Sequence, residues 1–234
     1  MLPTPRRISN NQRFAHAHLL RGRVGLGLVA ALSVLSGMTD AIGFLETGDF
    51  VSFMSGNTTR LAVAISDDNW GTVLRLAGAV MAFIVGNLLG VVVSHSTGRR
   101  TLPVMLFVSA VLCAAALSPL AVQPFSLYVT IVAMGALNAA VEQVNGLPIG
   151  LTYVTGALSK FGRGLGRWMM GERVHGWRVQ LVPWSGMFAG AILGATLHRH
   201  LAVDALWASA AIAFLLGIAA LKIPRRWQLN YMPR

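Results

Sequence analysis

Asp40 is a carboxylate in the C-terminal half of an apolar run that extends from about residue 24 to 46. An ionisable group in such a run must face a partner, a watery cavity or an ion, which makes it a candidate for carrying a proton or holding a cation. The alternative is a structural carboxylate satisfied by neighbouring Thr39 or by a helix terminus. Asn138 and Glu142 stand four residues apart in a second apolar run. At helical spacing they share a face, and they either line the same cavity as Asp40 or mark an interface with water. Two polar stretches complete the set: Ser55, Gly56 and Asn57 in FVSFMSGNTTRLA (50–62), and Thr155 and Gly156 in TYVTGALSKFG (152–162). Hydroxyls, backbone amides, a carboxamide and a carboxylate in this arrangement are the chemistry of holding and releasing a small solute.

The elements that position these residues are membrane helices. The chain has 234 residues, of which 55% are hydrophobic and only 12% charged, which places it in the membrane class. Apolar runs of roughly the 20 residues that cross a bilayer core cover about 24–46, 76–95, 102–121, 125–145, 180–198 and 203–222. Six spans leave little room for a soluble domain. The expected organisation is a basic arm (1–23), one transmembrane domain (24–222) and a basic tail (223–234).

The formal net charge of +11 raises nucleic acid as a partner, but the basic residues cluster at span ends without an aromatic stacking platform. The positive-inside rule accounts for them: with both termini cytoplasmic, sixteen of the 19 lysines and arginines lie inside, and only Arg60, Arg75 and Arg199 lie outside. The N-terminal run continues to about residue 46 without a small-residue cleavage site and reads as a retained helix. The expected location is a bacterial inner membrane, with the lipid bilayer as the first partner. Cys113 is the single cysteine and reads as a small packing residue.

The two halves answer each other. GMTDAIGFL (37–45) matches GALNAAVEQ (135–143), aligning Gly37 with Gly135 and Asp40 with Asn138. FMSGNTTRLA (53–62) matches YVTGALSKFG (153–162), and GNLLG (86–90) matches GAILG (190–194). The offsets drift only from 98 to 100 to 104 residues. An internal duplication follows, with repeats over about 24–121 and 125–222. If the polar breaks do not cross the membrane, each half has three spans and the second is inverted; if they cross, eight spans and parallel repeats result. Crossing would place Arg60 and Lys160 in short segments at about 2.5–3.5 kcal/mol each, which favours six. The fold class expected is therefore all-α, about six transmembrane helices in two inverted halves, each with a re-entrant break.

Within each break, FVSFM and LTYV suit an extended stretch, followed by a half-helix capped by Ser55 or Asn57 and by Thr155. Such a half-helix aims its positive end into the cavity; the alternative is a tight loop at the surface. Gly86 and Gly90, and Gly186, Gly190 and Gly194, form small-xxx-small faces suited to close helix packing, within one chain or in a homo-oligomer. Arg163, Arg167 and Arg173 form a basic cytoplasmic surface that suits anionic headgroups. GRGLGR (162–167) lacks the spacing of a dinucleotide fingerprint. His16 and His18 are separated across the membrane from His198 and His200, and no catalytic set, metal site or cofactor is called for.

GMTDAIGFL, FVSFMSGNTTRLA, GALNAAVEQ and TYVTGALSKFG, in this order, resemble the YoaK-like family of bacterial polytopic inner-membrane proteins of unknown function. The resemblance covers nearly the whole chain after the basic arm. Ser55 stands where that family would have threonine, which keeps the hydroxyl. The resemblance implies a polytopic membrane protein and no activity. The residues themselves support a small-solute transporter or channel, with Asp40 as the candidate for proton or ion coupling, against a non-transporting assembly or regulatory protein or a lipid-acting enzyme.

Overall fold

The computed structural model describes residues 10–117, 123–141, 143–144, 147–148, 154–173 and 176–232. Helix α1 (Asn10–Thr47) begins inside the basic arm and runs through the first apolar stretch without interruption. At 1.5 Å per residue it is about 57 Å long, well beyond the hydrocarbon thickness of about 30 Å. Its first turns, with Arg13, Arg21 and Arg23, therefore extend past the core.

The short helix α2 (Met54–Ser66) follows, then α3 (Trp70–Ser96). Asn69 starts α3 by accepting the Thr72 N–H at 3.2 Å, which satisfies one of the unpaired donors of a first turn. Next come α4 (Thr101–Leu117), α5 (Gln123–Leu137) and a 3-10 turn over Asn138–Ala140. The run expected to be helical to residue 145 stops there: Val141 is extended, with φ −149° and ψ 125°. Two-residue strands β1 (Gln143–Val144) and β2 (Leu147–Pro148) then pair antiparallel. Helices α6 (Val154–Met169), α7 (Leu181–Leu201), α8 (Ala205–Ala220) and α9 (Arg225–Gln228) complete the order. Among the described residues, α1, α3 and α7 are long and apolar enough to cross a bilayer, while α4, α5 and α8 are shorter apolar helices.

Three helix pairs build the interior. Helices α1 and α7 run in the same direction: Gly186 sits against Ala30, Gly190 against Val34 and Gly194 against Met38, so close that a Cβ on Gly190 or Gly194 would overlap a backbone carbonyl. Helices α3 and α5 also run in the same direction, with Gly86 on Val132 and Gly90 on Ala136 in equally tight contact. Lipid gives apolar side chains no reason to prefer protein, so helix pairs in membranes gain most where small residues let backbones approach. Helices α4 and α8 run antiparallel: the Ser109 hydroxyl donates to Ala210 O at 2.8 Å, and Gly217 packs on Leu102 and Met105. Leu32, Leu35, Met38, Met105, Ile131 and Met134 fill the space between the pairs, whereas Leu74, Leu88, Ile192 and Leu215 point outward. Apolar side chains on both sides of the helices are what a lipid solvent requires.

The end of the chain is a clasp. The Gln228 carboxamide accepts the Thr101 N–H at 2.9 Å and donates to Ala220 O and Ile223 O, so one side chain satisfies the start of α4 and the end of α8. The Arg99 guanidinium donates to Leu229 O and Met232 O, and the Tyr231 hydroxyl donates to Arg21 O at 2.6 Å. Burial pushes the Tyr231 phenol above its ordinary pKa, with the Arg21 charge pulling back.

Candidate functional site

After α1 ends at Thr47, the chain turns back along the helix it has just left. Val51 lies against Gly43 so closely that a Cβ there would overlap its side chain. Asp40, seven residues and about 10 Å before the helix end, accepts the N–H groups of Val51 and Ser52 on its Oδ1 at 3.0 and 2.7 Å. The Thr39 hydroxyl donates instead to Leu35 O, so Thr39 is not what satisfies the carboxylate.

Helix α2 then runs back towards the end of α1. Asn57, fully buried, holds Phe50 by both its backbone groups, donating to the carbonyl at 2.6 Å and accepting the N–H at 3.1 Å. One turn later the Arg60 guanidinium reaches Gly48 O at 2.5 Å and Asp49 Oδ1 at 2.6 Å. Residues 48–53 and α2 thus form a hairpin, with 57 opposite 50 and 60 opposite 48 and 49.

Asp49 anchors it. Its carboxylate is completely buried and also lies 2.8 Å from Arg75 Nε on α3. That contact is off the hydrogen-bond line, since neither atom has a geometric partner, so it acts as a charge pair. Two half-exposed arginines share one buried carboxylate.

Two local expectations are corrected. Residues 48–52 form no strand and bend at 48, 49, 51 and 52, and Phe53, with φ −90° and ψ 72°, is the N-cap of α2 and makes no side-chain cap bond. Ser55 and Asn57 lie within the first turn, and Thr155 lies within α6, which starts at Val154. The physical reason in the first break is that Asn57 is spent on Phe50, while Asp40 from another helix supplies the acceptor beside the positive end of α2.

A cavity of about 200 Å³ opens between α1, α7 and the starts of both half-helices. Gly37 and Asp40 line it from α1, Phe53 and Val154 from the two breaks, and Trp184, Met187 and Phe188 from α7. The Trp184 and Phe188 rings are nearly parallel, 5.6 Å apart. Asp40 is therefore the candidate residue that this cavity includes. Ser55 is exposed, Gly56 touches the Phe50 ring, Asn57 is behind the hairpin, and Asn138 is half-buried and donates to Met134 O at 3.3 Å. Thr155 is exposed and Gly156 buried on α6; Glu142 lies outside the described residues. The aromatic wall carried no signal in the sequence, because tryptophan and phenylalanine in an apolar run look the same facing lipid or a cavity.

Two further features surround the site. At the ends of α1 and α7, Glu46 and His198 meet at 2.5 Å. On α6, Gly164 is packed on Trp177, while Arg163 bonds Ser159 at 2.6 Å and Arg167 lies 4.0 Å from Glu172. Arg173 is exposed, as are Trp168, Met169 and Met170.

The family model described as "Protein of unknown function (DUF1275)" matches residues 28–219. A UPF0700 transmembrane protein of Rhizobium meliloti (strain 1021) is 55% identical over 213 residues, covering 91% of this chain and 93% of that protein. No solved structure matches. An integral membrane protein by its helices and by this relative, the chain belongs to the DUF1275 family.

Proposed function

We propose that the protein is a six-span transporter or channel for a small solute, built from two inverted halves and using the cavity at Asp40 as its central site. The observation that carries this reading is the convergence at one cavity of a buried carboxylate and the residues at the starts of α2 and α6, Phe53 and Val154. Paired discontinuous segments meeting near the membrane midplane are the usual construction of a transporter site.

The duplication is supported by reciprocal contacts. Gly190 meets Val34 and Gly86 meets Val132; Gly194 meets Met38 and Gly90 meets Ala136. In both pairs the helix-α1 partner recurs 98 residues later in α5, and the α7 glycine stands 104 residues after its α3 counterpart, the offsets of the sequence repeat. Gly37 on Met187 and Gly135 on Phe83 exchange in the same way. Inversion is supported by direction: with non-crossing breaks α4 and α8 run oppositely, as their contacts do, whereas crossing breaks would make them parallel. The basic residues favour cytoplasmic termini in an inner membrane, and the motif set favours the YoaK-like branch of such proteins.

The lining also favours a solute class. Among the described residues it holds one charge, the Asp40 carboxylate, together with the aromatic side chains of Phe53, Trp184 and Phe188. An anion would be repelled by the carboxylate, while aromatic faces and a carboxylate together attract a protonated or quaternary amine. The positive end of α2, equivalent to about half a charge, is already offset by Asp40. The solute is therefore an organic cation or a neutral molecule moved with a proton.

The test is a binding and uptake screen on purified, reconstituted protein with choline, its neutral isostere 3,3-dimethylbutan-1-ol and the anion 3,3-dimethylbutanoate. Choline is expected to stabilise and enter, and a tryptophan at Ala191, a small residue of the cavity lining on α7, to fill the cavity in Ala191→Trp and abolish both. Uptake unchanged in folded Ala191→Trp and Asp40→Asn would remove the cavity from the mechanism. The second reading, a non-transporting membrane protein, draws on α6, whose arginines and exposed Trp168 suit a headgroup surface; it predicts no uptake and loss of lipid or partner binding in Arg163→Gln/Arg167→Gln.

A further inference from the structure

At the end of the bundle closed by the C-terminal clasp, a second cavity of about 230 Å³ lies between the start of α4, the end of α8 and α9. Its walls are apolar, from Leu102, Pro103, Leu221 and Ile223, and its rim carries Arg100 and Arg225. Gln228 forms part of the lining, but its carboxamide is committed to Thr101, Ala220 and Ile223. The site is therefore held in shape by a buried side chain with no donor left for a ligand, and its charge comes from the two arginines.

Neither guanidinium pairs with a carboxylate among the described residues. The Arg225 guanidinium stands over the turn between α3 and α4, 3.2 Å from where a Cβ on Gly98 would lie, and Gly98 and Arg99 both have left-handed backbones there, with φ 73° and 57°. A glycine at the first position keeps room for that guanidinium. Leu221 is 64% exposed and continues the outward strip of Leu215 and Ile218 on α8. The charged rim and a lipid-facing apolar strip are thus contiguous.

We propose that this cavity binds one anionic phospholipid, its phosphate held between Arg100 and Arg225 and an acyl chain lying along Leu221 and the exposed face of α8. Guanidinium groups match phosphate oxygens through paired N–H donors, and basic pockets between helix ends are a recurrent setting for anionic headgroups. A phosphatidylcholine would bring its own cation to the rim, and inorganic phosphate would leave the apolar wall uncovered. The site is independent of the transport reading, because it shares no residue with the Asp40 cavity.

The experiment is native mass spectrometry of the purified full chain, titrated with phosphatidylglycerol, with phosphatidylcholine and with inorganic phosphate. The wild type is expected to take up a first phosphatidylglycerol at least tenfold more tightly than phosphatidylcholine. Arg100→Gln/Arg225→Gln is expected to lose that preference, at about fivefold per arginine. Lys222→Gln/Arg226→Gln, exposed neighbours that carry the same charge off the cavity wall, is expected to keep it. Arg100→Gln alone, which removes no hydrogen bond, supplies a folded single variant with an intermediate loss. An undiminished preference in the folded double variant, equal losses in the charge-matched control, or inorganic phosphate binding as tightly as the lipid would each overturn the assignment.

Discussion

The two breaks begin from similar-looking sequence and end as different objects. In the first, the polar residues at the turn are spent on structure: Asp40 holds Val51 and Ser52, Asn57 holds Phe50, and Asp49 holds Arg60 and Arg75. In the second, α6 buries Val154, Gly156, Ala157 and Gly164 on one side and sends Thr155, Arg163, Arg167 and Trp168 outward. The difference teaches that a polar run between apolar helices has two physical solutions. It can satisfy itself in a closed hairpin, or it can lie as an amphipathic helix with charge on one side. Position 40 against 138 marks the divergence: a carboxylate can take two backbone N–H groups on one oxygen and balance a helix end, whereas Asn138 brings no charge to do so.

That contrast can be broken by substitution, with unfolding in detergent as the readout. The largest effect is expected at Asp49→Ala, which leaves two arginines facing each other without a counter-ion. A buried pair broken on one side costs about 3–5 kcal/mol, and the 40% exposure of both arginines reduces this to about 2–4 kcal/mol. Asp40→Ala follows, at about 2–4 kcal/mol for two charge-assisted bonds whose donors are left buried. Asp40→Asn keeps an acceptor oxygen and should stay within about 1 kcal/mol of wild type, and a loss as large as that of alanine would mean that charge, not hydrogen bonding, holds the hairpin. Asn57→Ala should cost about 2–3 kcal/mol by orphaning both groups of Phe50.

In the second break, Gly164→Val drives a methyl group into Trp177 and should cost about 1–3 kcal/mol. Ser55→Ala and Thr155→Ala, both exposed, should fall within about 0.5 kcal/mol. Equal sensitivity at Ser55 and Asn57 would erase the distinction between a locked hairpin and its exposed surface.

Much of the fold was legible because its signals are local. Apolar runs gave the helices, glycine spacing gave the seams at Gly86, Gly90, Gly186, Gly190 and Gly194, and the polar run at 50–62 gave the break. What escaped was every feature that depends on a distant partner. Asp49 and Arg75 look like ordinary interface charges until α3 brings them together; Gln228 and Thr101 are 127 residues apart. The N-cap was misread for the same reason, since the acceptor beside α2 comes from Asp40 on another helix. The candidate site was half legible. Asp40 stood out as a charge in an apolar run, but Phe53, Trp184 and Phe188 had no polar atom to distinguish a cavity wall from a lipid face.

An inverted two-half architecture requires the first break to enter and leave from one side. The direct measurement is single-cysteine labelling in a Cys113→Ala background with an impermeant maleimide, using Asp67→Cys after α2, Thr97→Cys after α3 and His200→Cys at the end of α7. Because sidedness is compared between positions, the result does not depend on which way the protein inserts. Asp67→Cys and His200→Cys are expected to react from the same face, and Thr97→Cys from the other. Labelling of Asp67→Cys and His200→Cys from opposite faces would mean that the breaks cross the membrane, and would contradict the inverted two-half architecture.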